Sequence, residues 1–430
     1  MRVRTLALML ALELIGAGSS ARADGIPAYQ DTTGWHLLGE QVQQAVITLR
    51  DNRETMLLGV EVAPDATPEQ ASKLAWLTPV PASPDAVRVD ILRGFPSISG
   101  VEPRAALASY LRGALAVASL TQIYTIVPTM GLVMLRGGSR AGEEPARVVQ
   151  RVRRHGVELE LLAAPSRSAL VQHLAAKGVE LPGAALDALS SYVGRSCLVL
   201  FRIVDLPAYR RAAGGGGPGL GVEVSFPTTE GFFPLVASSA LPGARLEVLV
   251  TVLDHVRPVG DAPPGLLTRH YVGGVGGETG VLRVLGLDPG GRQRLRYTRM
   301  TLVGPPAALT RDLRFRPGAA RGTALASAIL VSPHLGWGLL VLMALVLVVV
   351  SLVAVRLTRP IWPAGHRPSR RTLLLLGLAN LLTLLAVLVA AMIVSRRVGA
   401  PPRRAALFTL AQSGVICLLL AGLALLTYAI

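Results

Sequence analysis

The sequence predicts an α+β extracytoplasmic domain, mainly antiparallel sheet with a helical pair, followed by C-terminal transmembrane α-helices. Three observations carry that prediction. Residues 324–430 hold three long apolar runs, nine Arg and no Asp or Glu. Residues 1–23 have the layout of an export signal. Between these ends, short β-type runs alternate with turn residues and a few stretches of helical spacing.

The two ends set the compartment. Arg2 and Arg4 form a basic n-region, residues 5–12 a short apolar h-region, and Ala21-Arg22-Ala23 an A-x-A cleavage site. Cleavage before Asp24 is expected, because the apolar run is too short to span a bilayer. The runs 336–355, 372–394 and 405–430 each reach the roughly 20 residues that a membrane helix needs. A soluble helix keeps a charged face, and these keep none. The expected plan is a signal peptide at 1–23, an α+β region at 24–323 that can divide near 205–221, and an anchor at 324–430. The expected location is a bacterial cytoplasmic membrane, with the α+β region periplasmic or extracellular.

The anchor contains a conflict. If all three runs span, the loop 356–371 with five Arg lies in the cytoplasm and the loop 395–404 with four Arg lies outside. Each loop favours the cytoplasm. The escape is that 372–394 does not cross.

Charge excludes one function class. The α+β region has 31 Lys and Arg against 26 Asp and Glu, a net of about +5 within the chain's +16. The rest of the excess is mostly membrane-flanking Arg, so nucleic acid is not an expected partner. The expected partners are the lipid bilayer and another envelope protein. Only two of the 43 basic residues are Lys, the codon signature of a GC-rich bacterial genome. Cys197 and Cys417 fall on opposite sides of a membrane boundary, so no disulfide framework is expected. Cys197 sits in an apolar run and reads as a buried strand thiol.

The elements follow in order. Residues 44–49 and 55–62 are strand-like, joined by the polar turn Asp51-Asn52-Arg53. Residues 75–77 and 87–92 flank Pro79-Val80-Pro81 and Pro84, which predicts an extended, turn-rich link. Leu107, Leu111 and Leu115 mark a helix over 104–120. After a strand-like 156–163, Ser166 or Ser168 can cap a helix that Lys177 and Gly178 stop. Pro182 can open a second helix carrying Leu186, Leu189 and Val193. Residues 196–204 read as a buried strand and 214–217 as a flexible loop. Short strands are then expected at 222–226, 232–237, 245–253, 281–287 and 294–303. Arg294, Arg296 and Arg292 can share one strand face, either as a solvated side or against anionic headgroups.

The order of residues resembles a bacterial family described as domain of unknown function 2330. The resemblance rests on Gln44-Ala45-Val46-Ile47, Arg53-Glu54-Thr55-Met56 and Ala75-Trp76-Leu77-Thr78-Pro79-Val80-Pro81. Ala169-Leu170, Leu181-Pro182, Phe226-Pro227, Phe233-Pro234-Leu235, Thr298-Arg299 and Arg311-Asp312-Leu313-Arg314-Phe315 continue it. It departs from the family at His173-Leu174, where relatives tend to show Trp-Leu. It implies an exported, membrane-associated protein and no particular reaction.

Familiar catalytic motifs are missing from the sequence. There is no H-E-x-x-H, G-x-S-x-G, Walker sequence or paired C-x-x-C. None of the seven His has metal-ligand spacing with another. Asp254-His255 and His270-Tyr271 are the positions to inspect, and an ordinary sheet-edge role accounts for each as well. Glu54, Glu61 and Asp90 lie in strand-like stretches and can converge as a hydrolytic group. Trp76 beside Pro79 and Pro81 can stack a ligand or pack under the turn. Asn380, Thr383, Gln412, Ser413 and Ser351 interrupt the apolar runs and suit helix–helix hydrogen bonds rather than an ion path. No catalytic, cofactor-binding or metal-ligating residue is assigned, and no cofactor is expected. The expected function is a membrane-anchored extracytoplasmic binding or scaffold protein. The alternative is an extracytoplasmic enzyme, in particular a hydrolase.

Overall fold

The computed structural model describes residues 25–31, 33–38, 42–60, 74–121, 151–213, 219–289, 294–362, 368–379 and 384–426. The signal segment, Glu61, the 214–217 loop, Arg292, Asn380 and Thr383 lie outside them. The first strands are β1 (Ile26–Asp31), β2 (Gly34–Leu37), β3 (Val42–Arg50), β4 (Arg53–Val60), β5 (Leu74–Val80), β6 (Arg88–Arg93) and β7 (Ser97–Val101). Then come β8 (Arg151–Arg154), β9 (Val157–Leu162), β10 (Cys197–Ile203), β11 (Leu220–Pro227) and β12 (Gly231–Phe233). The last are β13 (Leu246–Val252), β14 (Val256–Pro258), β15 (Leu267–Gly276), β16 (Leu295–Gly304) and β17 (Leu313–Pro317). The helices are α1 (Pro103–Thr121), α2 (Arg167–Ala176), α3 (Gly183–Leu189), α4 (Leu206–Ala213) and α5 (Thr279–Val284). Towards the C-terminal end follow α6 (Arg321–Val331), α7 (Leu335–Thr358), α8 (Arg370–Ala379), α9 (Leu384–Arg397) and α10 (Pro402–Leu426).

The described residues form two compact units. One contains the chain up to Gly100 and from 151 to Ala324; the other contains α1 and everything from Leu325 onward. The sequence places α1 within the extracytoplasmic region, but its Leu115 packs on Leu347, Val350, Ala354, Ile416 and Leu420 of α7 and α10.

The first unit is α+β. Six strands form an antiparallel sheet in the order β2-β1-β5-β10-β9-β8. Eight form a mixed sheet in the order β6-β11-β4-β3-β13-β16-β15-β7, in which β3 and β13 run parallel. A small antiparallel sheet has the order β12-β17-β14. One apolar core, including Ile47, Met56, Trp76, Leu77, Phe201, Phe226 and Phe315, joins all three. A second cluster of Val46, Leu57, Leu253 and Tyr297 covers part of the large sheet's other face, under α5.

Local chemistry explains most elements. Asp51 and Asn52 hold φ of 51° and 54°, and Arg50 pairs with Arg53, so β3 and β4 share a two-residue hairpin loop. Ser166 Oγ accepts from Ala169 N at 3.2 Å and starts α2. Gly178, at φ 70°, follows its end. Leu170 and Leu174 of α2 and Ala185 and Leu189 of α3 reach the same core.

Three expectations fail for physical reasons. The proline segment at 79–81 is not wholly a link, because β5 runs through Pro79 to Val80. β1 pairs with β5 only as far as Leu77, so the donor that Pro79 lacks has no neighbouring strand there to serve. The strand expected at 232–237 stops at Phe233, before Pro234. The strand expected at 281–287 is the helix α5. Val281, Leu282 and Leu285 repeat at helical spacing, and Gly286 at φ 68° lets Leu287 N donate to Leu282 O at 2.7 Å.

The second unit holds two helices long and apolar enough to cross a membrane, covering Val341–Ile361 and Pro402–Leu423. Of the middle apolar run, the described residues form α8 and α9, on either side of 380–383, which lie outside the described residues. Ser351 and Gln412 are buried without a hydrogen-bond partner among the described residues, so the helix–helix bonds expected from them are not formed there.

Candidate functional site

The first candidate lies at the β6 edge of the large sheet, on the face turned away from the main core. Side chains alternate along β4, so Arg53, Thr55 and Leu57 face away from Glu54, Met56 and Leu58. Cross-strand register sets Thr55 beside Ser225 and Leu57 beside Glu223. On the other side of β11, Ser225 neighbours Arg88 and Glu223 neighbours Asp90. The result is a charged patch of two carboxylates among arginines. Arg53 donates to Ser225 Oγ at 2.9 Å and to Ala86 O at 3.0 Å. Arg154, from β8 of the other sheet, donates to both Asp90 oxygens at 3.1 Å. Glu223 is half-buried. Burial, and then the negative charge of Asp90, push its carboxyl up to about 7 against the opposing pull of Arg88 and Arg53.

Glu54 and Asp90 do not converge, because alternation sends them to opposite faces of the sheet. Glu54 lies beside Phe226 in the core and is 0% exposed. One of its oxygens accepts from Phe232 N at 2.8 Å; the other has no partner among the described residues. Burial raises its carboxyl well above the usual carboxylate range, which favours the protonated form, and its bond to Phe232 N ties β12 to β4.

The second candidate joins the two dipeptides singled out in the sequence. His255 follows β13 and His270 sits on β15, on the side shared by Thr298. Their ring centroids are 4.8 Å apart. Thr298 Oγ1 knits the group together: it lies 3.0 Å from His270 Nδ1, donates to Asp254 O at 2.9 Å and accepts from Val256 N at 2.9 Å. Burial lowers the proton affinity of both imidazoles, and the proximity of His270 lowers that of His255 further. The neighbouring Asp254 carboxylate meets Arg296 at 3.7 Å, which removes Arg296 from any free row of arginines. No group of three His, Cys, Asp or Glu among the described residues is placed to hold a metal ion. The two rings are close enough that protonating His270 disfavours protonating His255.

A third polar group lies under α2. Glu160 of β9 receives Lys177 Nζ at 2.5 Å and faces His173 Nε2 at 3.2 Å; Arg202 donates to Glu158 at 2.6 Å. A shallow depression beside it is lined by Leu161, Leu162, Ala163, Ala164, Leu170 and His173. The Glu160 contacts seat α2 on the sheet, and the Arg202–Glu158 pair ties β10 to β9.

Other sequence candidates are structural. Trp76 is 2% exposed and meets Phe201 edge-on at 4.8 Å, so it packs in the core and is not a platform. Cys197 is a free, buried thiol against Val80 O, and burial pushes it up to about 11. Sequence reasoning missed Glu223, although a lone carboxylate between Val222 and Val224 in an apolar strand was a visible signal. It also missed Tyr192, whose hydroxyl donates to Asp312 in the loop before β17.

Comparison of the chain with family profiles, with curated proteins and with solved structures gives no match.

Proposed function

We propose that the chain is a membrane-anchored extracytoplasmic binding or scaffold protein, held in a bacterial cytoplasmic membrane by its second unit. The anchoring reading is supported by apolar side chains that face outward. On α7, Val341, Leu345, Val349, Val353 and Leu357 are 41–59% exposed, and on α10 Leu407, Leu410, Leu418 and Leu425 are 51–75% exposed. Only a third of each spanning segment is buried, whereas the core helix of a soluble protein is mostly buried. Acyl chains cover such a surface without cost; water does not.

The observation that carries binding over catalysis is dispersal. Among the groups with displaced proton affinities, Glu54, Glu223 and the His255–His270 pair occupy three separate places in the first unit. None lines the depression beside α2. An acid–base mechanism needs such groups to converge on one concave site. The patch of exposed Arg88 and Arg154 with half-buried Arg53, Asp90 and Glu223 instead offers a mixed-charge surface suited to an envelope partner.

An extracytoplasmic hydrolase is the second reading. The Glu223–Asp90 pair favours it, since Glu223 titrates near neutrality beside a second carboxylate. A photo-crosslinking residue at Arg88, with one at the exposed Val303 as control, separates the readings in living cells. A discrete adduct from position 88 alone supports binding at the patch. Equal labelling from both positions refutes it. Hydrolysis of an envelope substrate that rises with pH around 7 and disappears in Glu223→Gln establishes the enzyme.

A further inference from the structure

The conflict between the two Arg-rich loops resolves in the packing of α7 against α10, within the second unit. Trp362, just past the end of α7, stacks on Phe408 near the start of α10, with ring centroids 5.5 Å apart. Arg404, also at the start of α10, donates to Ile361 O at 3.4 Å. Val355, Trp362, Ala405 and Phe408 share one apolar cluster. Farther back on α7, Leu347, Val350 and Ala354 cluster with Ile416 and Leu420, farther forward on α10. The two helices are therefore antiparallel. Their 24 and 25 residues give lengths of about 36–38 Å, enough for a hydrocarbon core of about 30 Å.

An antiparallel pair leaves no room for a crossing between its members. The run between them behaves accordingly. Its described parts are α8 before and α9 after residues 380–383. Leu373 and Leu376 of α8, Ala391 of α9 and Ala400 just past α9 all join the cluster around Trp362 and Phe408. The run thus enters and leaves at the same end of the pair.

That end collects the positive charge. Arg356 and Arg359 close α7, Arg371 opens α8, Arg396 and Arg397 close α9, and Arg403 and Arg404 open α10. All but the half-buried Arg404 are exposed. No Asp or Glu exists in residues 324–430 to neutralise them. The opposite ends of α7 and α10 carry no Arg or Lys. An asymmetry this complete orients a helix pair with its Arg end in the cytoplasm.

We propose that residues 324–430 cross the bilayer twice, with 372–394 as a re-entrant hairpin. In this arrangement the gathered arginines form a cytoplasmic-face surface for anionic phospholipid headgroups. The proposal rests on the anchoring reading above. It reverses the three-span expectation: both Arg-rich loops are inside, and the chain beyond α10 emerges on the side where α7 began. The headgroup partner follows from charge and place. Exposed guanidiniums at membrane depth, without carboxylates of their own, match lipid phosphates in the negatively charged leaflet.

Single-cysteine reporters test the topology in intact cells, with any outer membrane permeabilised. The background carries Cys197→Ser and Cys417→Ala, and the reporters are Ala320→Cys, Pro401→Cys and a cysteine added after Ile430. A membrane-impermeant maleimide is expected to label the first and last in intact cells, and Pro401→Cys only after lysis. Labelling of Pro401→Cys in intact cells, with the terminal cysteine protected, restores three spans and overturns the hairpin. Failure of Ala320→Cys to label until lysis overturns the orientation assumed for the first unit instead, which separates the two failures. The headgroup surface is read by native mass spectrometry of the full chain with phosphatidylglycerol and phosphatidylcholine. The wild type is expected to retain phosphatidylglycerol preferentially, and the triple variant Arg396→Gln, Arg397→Gln, Arg403→Gln to bind it at least about tenfold more weakly. Equal retention of both lipids by the wild type, or no change in the triple variant, refutes it.

Discussion

Replacing Glu54 by Gln should flatten part of the protein's stability profile with pH. The Glu54 carboxyl is fully buried, accepts one backbone N–H from Phe232, and has its proton affinity raised by burial. In the unfolded chain it ionises near the ordinary value of 4.5. In the fold it keeps its proton to higher pH. The folded state therefore binds more protons than the unfolded state above that value, and stability falls as pH rises towards the folded pKa. One such proton gives a slope of at most about 1.4 kcal/mol per pH unit. Glu54→Gln keeps a carbonyl oxygen for Phe232 N and removes the titration. Denaturant titrations of the full chain in detergent, between pH 5 and 8, should show the wild type losing stability relative to the variant. Taking the difference cancels the titrations of Glu223 and the histidines. Glu54→Ala should cost about 1–3 kcal/mol at pH 5 for the orphaned Phe232 N–H, with more for the cavity. Parallel pH profiles for wild type and Glu54→Gln would refute the buried-acid reasoning.

Three further predictions concern the same unit. Asp90→Asn should lower the Glu223 midpoint below about 7, because it removes the negative charge that helps to raise it; carboxyl carbon shifts in NMR report this, and an unchanged midpoint contradicts the pairing. His270→Gln should bring His255 back towards its ordinary value, so imidazole titration by NMR should move up in pH; no movement would mean that the rings do not interact. Both imidazoles are lowered from the ordinary 6.5, so the fold favours their neutral forms, and stability is lost as pH falls from about 6.5 through the folded values. Cys197, pushed up to about 11 and buried, should resist maleimide in the native chain and react on unfolding; rapid native labelling would contradict its burial.

The sequence carried the α+β class because apolar alternation and turn residues are local properties. The Asp51-Asn52 turn and the Ser166 cap were legible for that reason. What stayed hidden depends on neighbours. Pro79 continues a strand only because β1 stops short of it, and no local rule knows where a partner strand ends. The glycines of β15 disguised a strand. A side chain at Gly273 would collide with the backbone at Ser99, so glycine there permits a close approach to β7. The span 281–287 was too short for periodicity to separate helix from strand, and Gly286 decided it. The His255–His270 pair was half visible: both dipeptides could be singled out, but only the register of β15 with β16 brings them together. Glu223 and Asp90 are far apart in the chain and meet only across a strand pair.

In the function proposed above, residues 324–430 hold a folded extracytoplasmic unit in a bilayer. Alkaline carbonate extraction of membranes from cells making the full chain tests it most directly. The chain is expected to stay in the membrane pellet and to enter the supernatant only with detergent, because the outward leucines and valines of α7 and α10 need acyl chains around them. Quantitative release by carbonate alone would contradict it, and would make α7 and α10 parts of a soluble helical assembly instead.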